Sequence, residues 1–180
     1  MKETRTRVSK KAIHAPQVLN EAYSYPCPSS FSRGLRIDIK GVAILLISGT
    51  ASVDEHGRTV HVGDFRARTW RTYQNITALL ESEGSSWKDV VRTTCYLRDI
   101  ERDYAAFNEI RTEFFQQQGL DPLPASTGIQ AILCRPDLLV AIEAMAIRES
   151  DEGEKASQLD SKSNPMISSS IGLDAKADVS

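Results

Sequence analysis

Cysteine and histidine, the residue types that most often bind metals or act as nucleophiles and bases, are few and widely spaced in this chain. The three cysteines lie too far apart for the short ligand pairs of a zinc site or for a disulfide framework. No Gly-x-Ser-x-Gly elbow is present to activate a serine. The histidines do not cluster with acidic residues, so we expect them to be solvated loop residues. They are His14, His56 and His61.

Two short segments offer polar groups where a ligand could bind. Ser48 and Gly49 follow a dense apolar run and present a hydroxyl and backbone N–H groups, and the glycine allows close approach of a carboxylate. A strand end that needs a turn would give the same pair. Cys134 is either a site residue or a small buried group, whereas the pattern around Cys95 favours a core position.

The segments that position these residues alternate between strand and helix patterns. A continuous apolar run over 42–47 is typical of a strand buried on both faces. Asp64 is a good N-cap for a helix whose apolar residues recur at intervals of three and four as far as Gly84. Apolar and polar residues then alternate over 91–97, which indicates a half-buried strand.

The second half of the pattern predicts a helix and two strands. The helix begins near Asp103, and the strands cover about 126–133 and 138–147. Because two helices cover only one face of a sheet, we expect the other face to pack on further copies of the chain. The sheet has more apolar positions than one helical layer can hide, namely Ile44, Leu46, Ile129, Ala131, Val140 and Ile142.

Composition limits the number of domains and the partners. A chain of 180 residues with 41% hydrophobic residues can build one core. We expect a flexible basic arm over 1–24, with a transit peptide as the alternative, one domain over 25–148 and a disordered polar tail over 149–180. The longest apolar run is too short to cross a membrane. Reduced cysteines and this composition favour a cytoplasmic protein without a membrane partner.

Basic residues do not indicate a nucleic-acid partner. The net charge of −2 gives no general attraction to polyphosphate. Arg66, Arg68 and Arg71 around the first helix lack interleaved aromatic residues that would stack on bases. The pattern therefore favours a solvated helix face over an RNA-binding stripe.

Seven short motifs follow one another along the predicted domain. They are Phe31-Ser32-Arg33-Gly34, Ile47-Ser48-Gly49-Thr50, Asn75-Ile76, the segment 90–97, Phe107-Asn108-Glu109, Pro124-Ala125-Ser126-Thr127 and Ile142-Glu143-Ala144. In order and spacing this set resembles the Rid family, the reactive intermediate deaminases also called YjgF-like proteins. The resemblance implies a chorismate-mutase-like α/β (α+β) fold with two helices on one face of a mixed sheet. It also implies a homotrimer with a central barrel and ligand clefts between subunits.

The resemblance also implies the chemistry of the cleft. Deaminases of the family hydrolyse enamine or imine intermediates derived from amino acids, without a metal or organic cofactor. An arginine after the Pro-Ala pair binds the substrate carboxylate, and a glutamate on the last strand positions or activates water. In this chain these positions hold Ser126 and Ala141. Glu143, on the same strand face, matches another acidic residue common in the family, and Phe31 stands where the family often has tyrosine.

A second resemblance concerns the chorismatase branch of the superfamily, which acts on chorismate to release pyruvate. The stretch Cys134-Arg135-Pro136-Asp137-Leu138-Leu139-Val140, together with 48–52, looks like the C-terminal module of those longer proteins. This resemblance makes Cys134 a candidate catalytic residue. The acidic residue that the branch needs on the last strand again falls at Ala141.

Three functional hypotheses remain open. The first is a trimer that binds a small carboxylate-bearing metabolite and hydrolyses an enamine or imine, with Glu143 and Cys134 as the catalytic candidates. The second is a chorismatase-like lyase or hydrolase in a biosynthetic pathway. The third is a non-catalytic ligand-binding trimer. In each of them the substrate-binding candidates are Phe31, Ser48, Gly49, Ser126 and Thr127.

Overall fold

A computed structural model describes residues 8–25 and 28–150, which form one six-stranded sheet and two long helices. The elements are β1 (Ser9–Ala12), β2 (Gly34–Ile39), β3 (Val42–Ala51), α1 (Phe65–Glu81), β4 (Val90–Leu97), α2 (Ile100–Gln117), β5 (Ala125–Gln130) and β6 (Val140–Glu149). The strand order is β1-β2-β3-β6-β4-β5, and each pair is antiparallel except β4 and β5. The predicted α+β class with a mixed sheet is confirmed.

Both helices begin at an aspartate that caps the first turn. The side chain of Asp64 accepts a hydrogen bond from the backbone N–H three residues later at 2.9 Å, as predicted. Asp99 does the same for α2 at 3.0 Å, so this helix begins at Ile100 rather than near Asp103. In the part of the chain that the structure describes, no helix is long and apolar enough to span a bilayer.

The two helices cover one face of the sheet with an aromatic core. Tyr73 of α1 stacks on Phe114 of α2 with ring centroids 4.5 Å apart. Trp87 meets Phe114 edge-on at 5.1 Å, and its indole N–H donates to the hydroxyl of Thr77 at 2.8 Å. Cys95 lies in this core with 0% exposure, which confirms its predicted position. The sheet contributes the core residues Leu45, Ile47, Cys95, Leu97, Val140 and Ile142.

The opposite face of the sheet is not covered by any element among the described residues. Strand alternation places Leu46 of β3 together with Glu143 and Met145 of β6 on this open face. Val140 and Ile142, which the sequence counted among the surplus apolar positions of the sheet, are buried under the helices. Apolar residues on β6 occupy both faces, and alternation alone does not say which set meets a helix.

The apolar run over 42–47 is buried on one face only within a single chain. Its residues 43, 45 and 47 lie under the helices, whereas Val42 is 39% exposed and Ile44 and Leu46 are only partly buried. The expectation of burial on both faces therefore fails for one chain. Burial of this strand on both faces requires another layer of protein on the open face.

The predicted flexible arm over 1–24 is wrong for the residues from 8 onward. β1 pairs with β2, and Ile13 and Leu19 are 0% and 1% exposed. Their irregular spacing gave no strand or helix period in the sequence. At the other end β6 includes Glu149, so the sheet extends past the predicted boundary at residue 148. Residues 1–7 and 151–180, the remainder of the predicted arm and tail, lie outside the described residues.

A cluster of charged residues ties three strands to the end of α1. The carboxylate of Glu83 lies 2.9 Å from the ammonium of Lys11 and 3.3 Å from the guanidinium of Arg36. The Arg36 and Glu83 side chains are 8% and 7% exposed, and Arg36 also contacts Asp38. Arg148 donates to the backbone carbonyl of Glu83 at 2.9 Å. We call these five residues the Glu83 clamp.

Candidate functional site

A cavity of about 500 Å³ opens beside β3, where the first segment of the chain meets the loop before β6. Phe31, Gly49 and Cys134, three of the predicted site residues, all line it. Three guanidinium groups also line it, those of Arg33, Arg135 and the exposed Arg58. We call this cavity the arginine pocket. Gly49 lies next to a register shift between β3 and β6, and a methyl group built on it would meet nothing within 4 Å.

Arg33 is the buried charge of the arginine pocket. Its side chain is 5% exposed, and its Nε donates to the backbone carbonyl of Asn20 at 3.0 Å. A terminal nitrogen donates to the hydroxyl of Tyr25. The guanidinium carbon lies 4.8 Å from the ring centroid of Tyr25 and 5.3 Å from that of Phe31. Among the described residues no carboxylate forms an ion pair with Arg33, so its charge is met only by rings and neutral oxygens.

The surroundings of Arg33 also affect Tyr25. Burial raises the pKa of this phenol, and the neighbouring guanidinium opposes that rise. Gly57 packs directly on the same ring, and a methyl group built there would lie 2.4 Å from it. The backbone of Gly57 has φ +76°, which favours glycine. Both observations show that the wall of the pocket at Tyr25 requires glycine at position 57.

Arg135 is neutralised within the chain. Its guanidinium donates to the backbone carbonyl of Gly57 at 2.6 Å and to the hydroxyl of Thr59, and its Nε lies 3.4 Å from Oδ1 of Asp137. The Thr59 hydroxyl donates to Asp137, and this bond holds the pKa of that carboxyl below its usual range. Arg135 therefore joins two loops of the pocket, and Arg33 supplies the unbalanced charge.

Arg68 supports the same loops from behind. It is 3% exposed, its Nε donates to the carbonyl of His61 at 2.8 Å, and a terminal nitrogen donates to the carbonyl of Asp137. The expectation of a solvated face is therefore wrong for Arg68, because a residue in the first turn of α1 reaches the loops beside it. Arg66 does lie at the surface, paired with Glu109.

The histidines are exposed, as predicted, and within the described residues no three His, Cys, Asp or Glu side chains group as a metal site. His56 lies at the arginine pocket. Cys134 is also exposed, which argues against its reading as a buried apolar group. Cys27 lies outside the described residues.

A second cavity, of about 450 Å³, lies on the open face of the sheet and is lined by Ser48, Arg92 and Glu143. Its position opposite the helices makes it part of the surface that further copies are expected to cover. Burial raises the pKa of the neighbouring phenol of Tyr96, and the carboxylate of Glu143 adds to this rise. Ala141 lies between Ala51 and Tyr96 on the adjacent strands, so this face has a methyl group where the resemblance expects a carboxylate.

Ser48 uses its two donors inside the chain. Its backbone N–H donates to the carbonyl of Arg33 at 3.0 Å, and its hydroxyl donates to the carbonyl of Ser32 at 2.7 Å. These bonds hold β3 against the segment that carries Arg33. In this structure Ser48 positions the arginine pocket, and only its oxygen lone pairs remain for a ligand.

A third cavity, of about 420 Å³, lies between α2 and β5 and includes Ser126. We call it the edge pocket. The hydroxyl of Ser126 accepts hydrogen bonds from Thr93 at 3.0 Å and from the guanidinium of Arg111 at 3.2 Å. The next residue, Thr127, accepts from Arg92 at 3.2 Å on the opposite face of the strand. The two residues predicted as neighbours in one site thus lie on opposite faces of β5, and Thr127 contacts Arg92 of the second cavity.

Within one chain, therefore, the predicted site residues other than Thr127 are divided among three cavities. Sequence reasoning missed Arg33, Arg111 and Arg135 as cavity cations, although Arg33 and Arg135 stand inside the motifs that carried the resemblances. Their type and position in those motifs were the available signal. What the sequence did not show was which guanidinium has a carboxylate partner.

The chain was compared with known proteins. Residues 29–148 match the model of a family described as endoribonuclease L-PSP. RutC family proteins of Pyrococcus abyssi and Pyrococcus horikoshii are 32% and 33% identical to the chain over 111 residues, which is 62% of this chain and 84% of each relative.

Solved structures with the same fold are more distant in sequence. The YjgF gene product of E. coli has a TM-score of 0.62 at 24% identity, over 77% of this chain and 99% of that one. E. coli TdcF, solved with bound serine, has a TM-score of 0.64 at 21% identity over the same shares. RidA from an Antarctic Psychrobacter has a TM-score of 0.60 at 23% identity, over 76% of this chain and 98% of that one.

Proposed function

Since the chain belongs to the endoribonuclease L-PSP family, which is the YjgF/Rid family, we propose that it binds a small carboxylate-bearing metabolite in clefts between the subunits of a homotrimer. The observation that carries the proposal is Arg33. Arginine side chains carry a positive charge in proteins, and that of Arg33 is 5% exposed with no carboxylate of the described residues to neutralise it. A buried charge of this kind is strongly destabilising unless an anion balances it.

The shape of the arginine pocket suits a small acid. The rings of Tyr25 and Phe31 hold the guanidinium by cation–π contacts and leave the remaining N–H groups for a bidentate carboxylate. The space beside Gly49 is open. The fold neighbour TdcF was solved with serine, which shows that this fold accommodates an amino acid in at least one protein.

Self-association follows from the open face of the sheet. Leu46 and Met145 leave apolar surface beside Glu143, and no element of the chain covers it among the described residues. Monomeric proteins rarely expose a continuous apolar face. A homotrimer would appear in light scattering as a mass of about 60 kDa, three times the 19.9 kDa of one chain.

The reaction that we propose for this cleft is hydrolysis of an enamine or imine. Water adds to the imine carbon, the C–N bond breaks, and ammonia leaves while a 2-oxo acid remains. Glu143 is the available carboxylate on the last strand, because position 141 is alanine. Cys134 is the exposed thiol in the arginine pocket.

Binding is tested by titrating sodium benzoate into the full chain in a calorimeter. We expect Arg33→Gln to weaken binding at least about tenfold, because hydrogen bonds to a charged group contribute about 1.5–3 kcal/mol each. Arg66→Gln, at the surface outside the pocket and paired with Glu109, is the matched control and should bind like the wild type. Arg33→Lys keeps the charge if the glutamine variant does not fold. Equal benzoate affinity in all folded variants would refute the proposal.

Catalysis is tested by ammonia release from a mixture that generates 2-aminoacrylate. We expect activity above the uncatalysed rate in the wild type, a loss in Glu143→Ala and a gain in Ser126→Arg, which restores the guanidinium that the family resemblance places there. Equal rates in all three proteins would remove the deaminase reading. Benzoate binding without such activity would support the non-catalytic alternative.

The chorismatase-like function is a second candidate, because the stretch that resembles that branch lines the arginine pocket. Cys134, Arg135 and Asp137 all belong to it. Pyruvate release from chorismate, followed directly, tests this function, and Cys134→Ala should reduce the rate. No pyruvate above background would exclude it.

A further inference from the structure

The edge pocket contains a second guanidinium that no carboxylate of the described residues neutralises. Arg111 lies on α2, and its two terminal nitrogens donate to Ser126 Oγ at 3.2 Å and to Oδ1 of Asn108 at 2.6 Å. Its guanidinium carbon lies 5.4 Å from the ring centroid of Phe107. These contacts fix the fork in place and leave N–H groups for a ligand, since arginine has five.

The remaining walls of the edge pocket combine apolar side chains with the polar side chains of Thr112 and Gln116. Phe115, Leu120 and Leu123 line one side of its 420 Å³, and Leu123 is 65% exposed. The phenol of Tyr104 adds a polar edge. A cation held in place beside an apolar wall suits a carboxylic acid with an aromatic or branched aliphatic body.

The hydrogen bond between Arg111 and Ser126 bears on which residue binds a ligand carboxylate. Ser126 stands at the position to which the family resemblance assigns a carboxylate-binding arginine, and in this chain its hydroxyl accepts a hydrogen bond from a guanidinium on the neighbouring helix. The cation lost from β5 is thus supplied from α2, one side chain away. The hydroxyl of Ser126 accepts these two hydrogen bonds, and its own proton can be donated either to the sulfur of Cys95 at 3.9 Å or to a ligand.

We propose that Arg111 binds the carboxylate of an aromatic or branched aliphatic acid in the edge pocket, with Ser126 as the second donor, in place of an arginine on β5. The proposal rests on the proposed function in one respect, that the ligand carries a carboxylate. It differs in naming another cation, in another cavity of the same chain.

The test is calorimetric titration of sodium benzoate into the full chain and its variants. Arg111→Gln should lose the edge-pocket binding event or weaken it at least about tenfold. Ser126→Arg in the Arg111→Gln background should restore the affinity to within about threefold, because it returns a guanidinium to the same cavity. Arg102→Gln is the matched control, since Arg102 lies on the same helix, is exposed and is paired with Asp103.

The pattern across the variants separates the two proposals. Two events in the wild type, one lost in Arg111→Gln and the other in Arg33→Gln, would support both proposals. A single event removed by either variant would overturn the claim that Arg111 binds a ligand in a cavity separate from that of Arg33. An event removed by Arg33→Gln alone would overturn the Arg111 proposal and leave the proposed function standing. An event removed by Arg111→Gln alone would support the Arg111 proposal and overturn the role of Arg33 in the proposed function.

Two further outcomes are decisive. No binding of benzoate by the wild type would overturn both proposals. Loss in Arg111→Gln without restoration by Ser126→Arg would overturn the claim that Arg111 acts at the position of Ser126. If Arg111→Gln does not unfold cooperatively on heating, Arg111→Lys replaces it. That variant keeps the charge without the fork and should bind more weakly than the wild type.

Discussion

The two faces of the sheet are built from the same strands, but the helices bury one face and leave the other open. On one face, Tyr73, Trp87 and Phe114 close a core within a single chain, with ring centroids 4.5 to 5.5 Å apart. On the other, Leu46 lies beside the carboxylate of Glu143 in an open cavity. Alternation of side chains along each strand separates the two sets of residues. The same strands therefore present one face that is covered within the chain and one face that is left open. Stability should therefore depend mainly on the first face, and assembly on the second.

The largest expected effect is on the covered face. Phe114→Ala removes a ring that contacts three aromatic side chains, Trp70 and Tyr73 of α1 and Trp87, and we expect it to lower the free energy of unfolding by about 3–5 kcal/mol. Urea denaturation measures this change. Tyr104→Ala, on the same helix but 44% exposed, is the control and should cost less than about 1 kcal/mol. Similar losses in both variants would contradict the assignment of the core to one face.

The next effect is at the Glu83 clamp, where the covered face ends. Glu83→Gln leaves the buried guanidinium of Arg36 with less balancing charge, and we expect a loss of about 2 kcal/mol, since Asp38 still contacts it. Glu109→Gln breaks an exposed pair with Arg66 and should change stability by about 0.5 kcal/mol or less. An equal response of the two variants to urea would show that burial of the clamp adds nothing.

On the open face we expect Leu46→Glu to lower the stability of the protomer by only about 1 kcal/mol. We expect the same substitution to abolish assembly. Leu46→Glu places a second carboxylate in the cavity of Glu143, so we expect light scattering to give a mass near one chain. Val62→Glu alters an apolar side chain that is 77% exposed in a loop and should leave the mass of the assembly unchanged. A Leu46→Glu protein that keeps the wild-type mass would contradict the role of this face.

The smallest effect is a pH dependence that compares the faces directly. Burial raises the pKa of Tyr73 on the covered face and of Tyr96 on the open face, where the Glu143 carboxylate adds to the rise. A raised pKa means that the unfolded state loses the proton first, so stability is complete below about pH 10 and falls as the pH rises above it. Tyr96→Phe should flatten this decline slightly and Tyr73→Phe more, in unfolding free energies measured between pH 8 and 11. A steeper decline in either variant would contradict the sign.

Periodic elements were predictable, and contacts between distant segments were not. The cap at Asp64 and the two helices follow from spacing, because each repeats a local rule. β1 carries no such signal in Ser-Lys-Lys-Ala, and it is a strand because β2 offers a free edge and Ile13 is buried beside it. The same limit applies to Val140 and Ile142, whose face is decided by where the helices pack.

The candidate site divides in the same way. Phe31, Gly49 and Cys134 were selected by resemblance, and the structure places them around one cavity. The role of Arg33 was not visible, because the ring of Tyr25 and the carbonyl of Asn20 reach it through a loop without a regular pattern. A sequence shows which residues carry charge, whereas only the fold shows which of those charges lacks a counter-ion.

The bond from Arg33 to the carbonyl of Asn20 links the pocket to the start of the chain. Asn20 directly follows Leu19, which is buried in the core, and both come after β1 in the chain. An anion seated on the guanidinium would be coupled to the docking of this leading segment, and linkage makes the coupling equal in both directions. Trimming the protein ahead of Leu19 should therefore weaken ligand affinity, although none of the described side chains ahead of it lines the cavity. Ligand should in turn protect the leading segment from proteases.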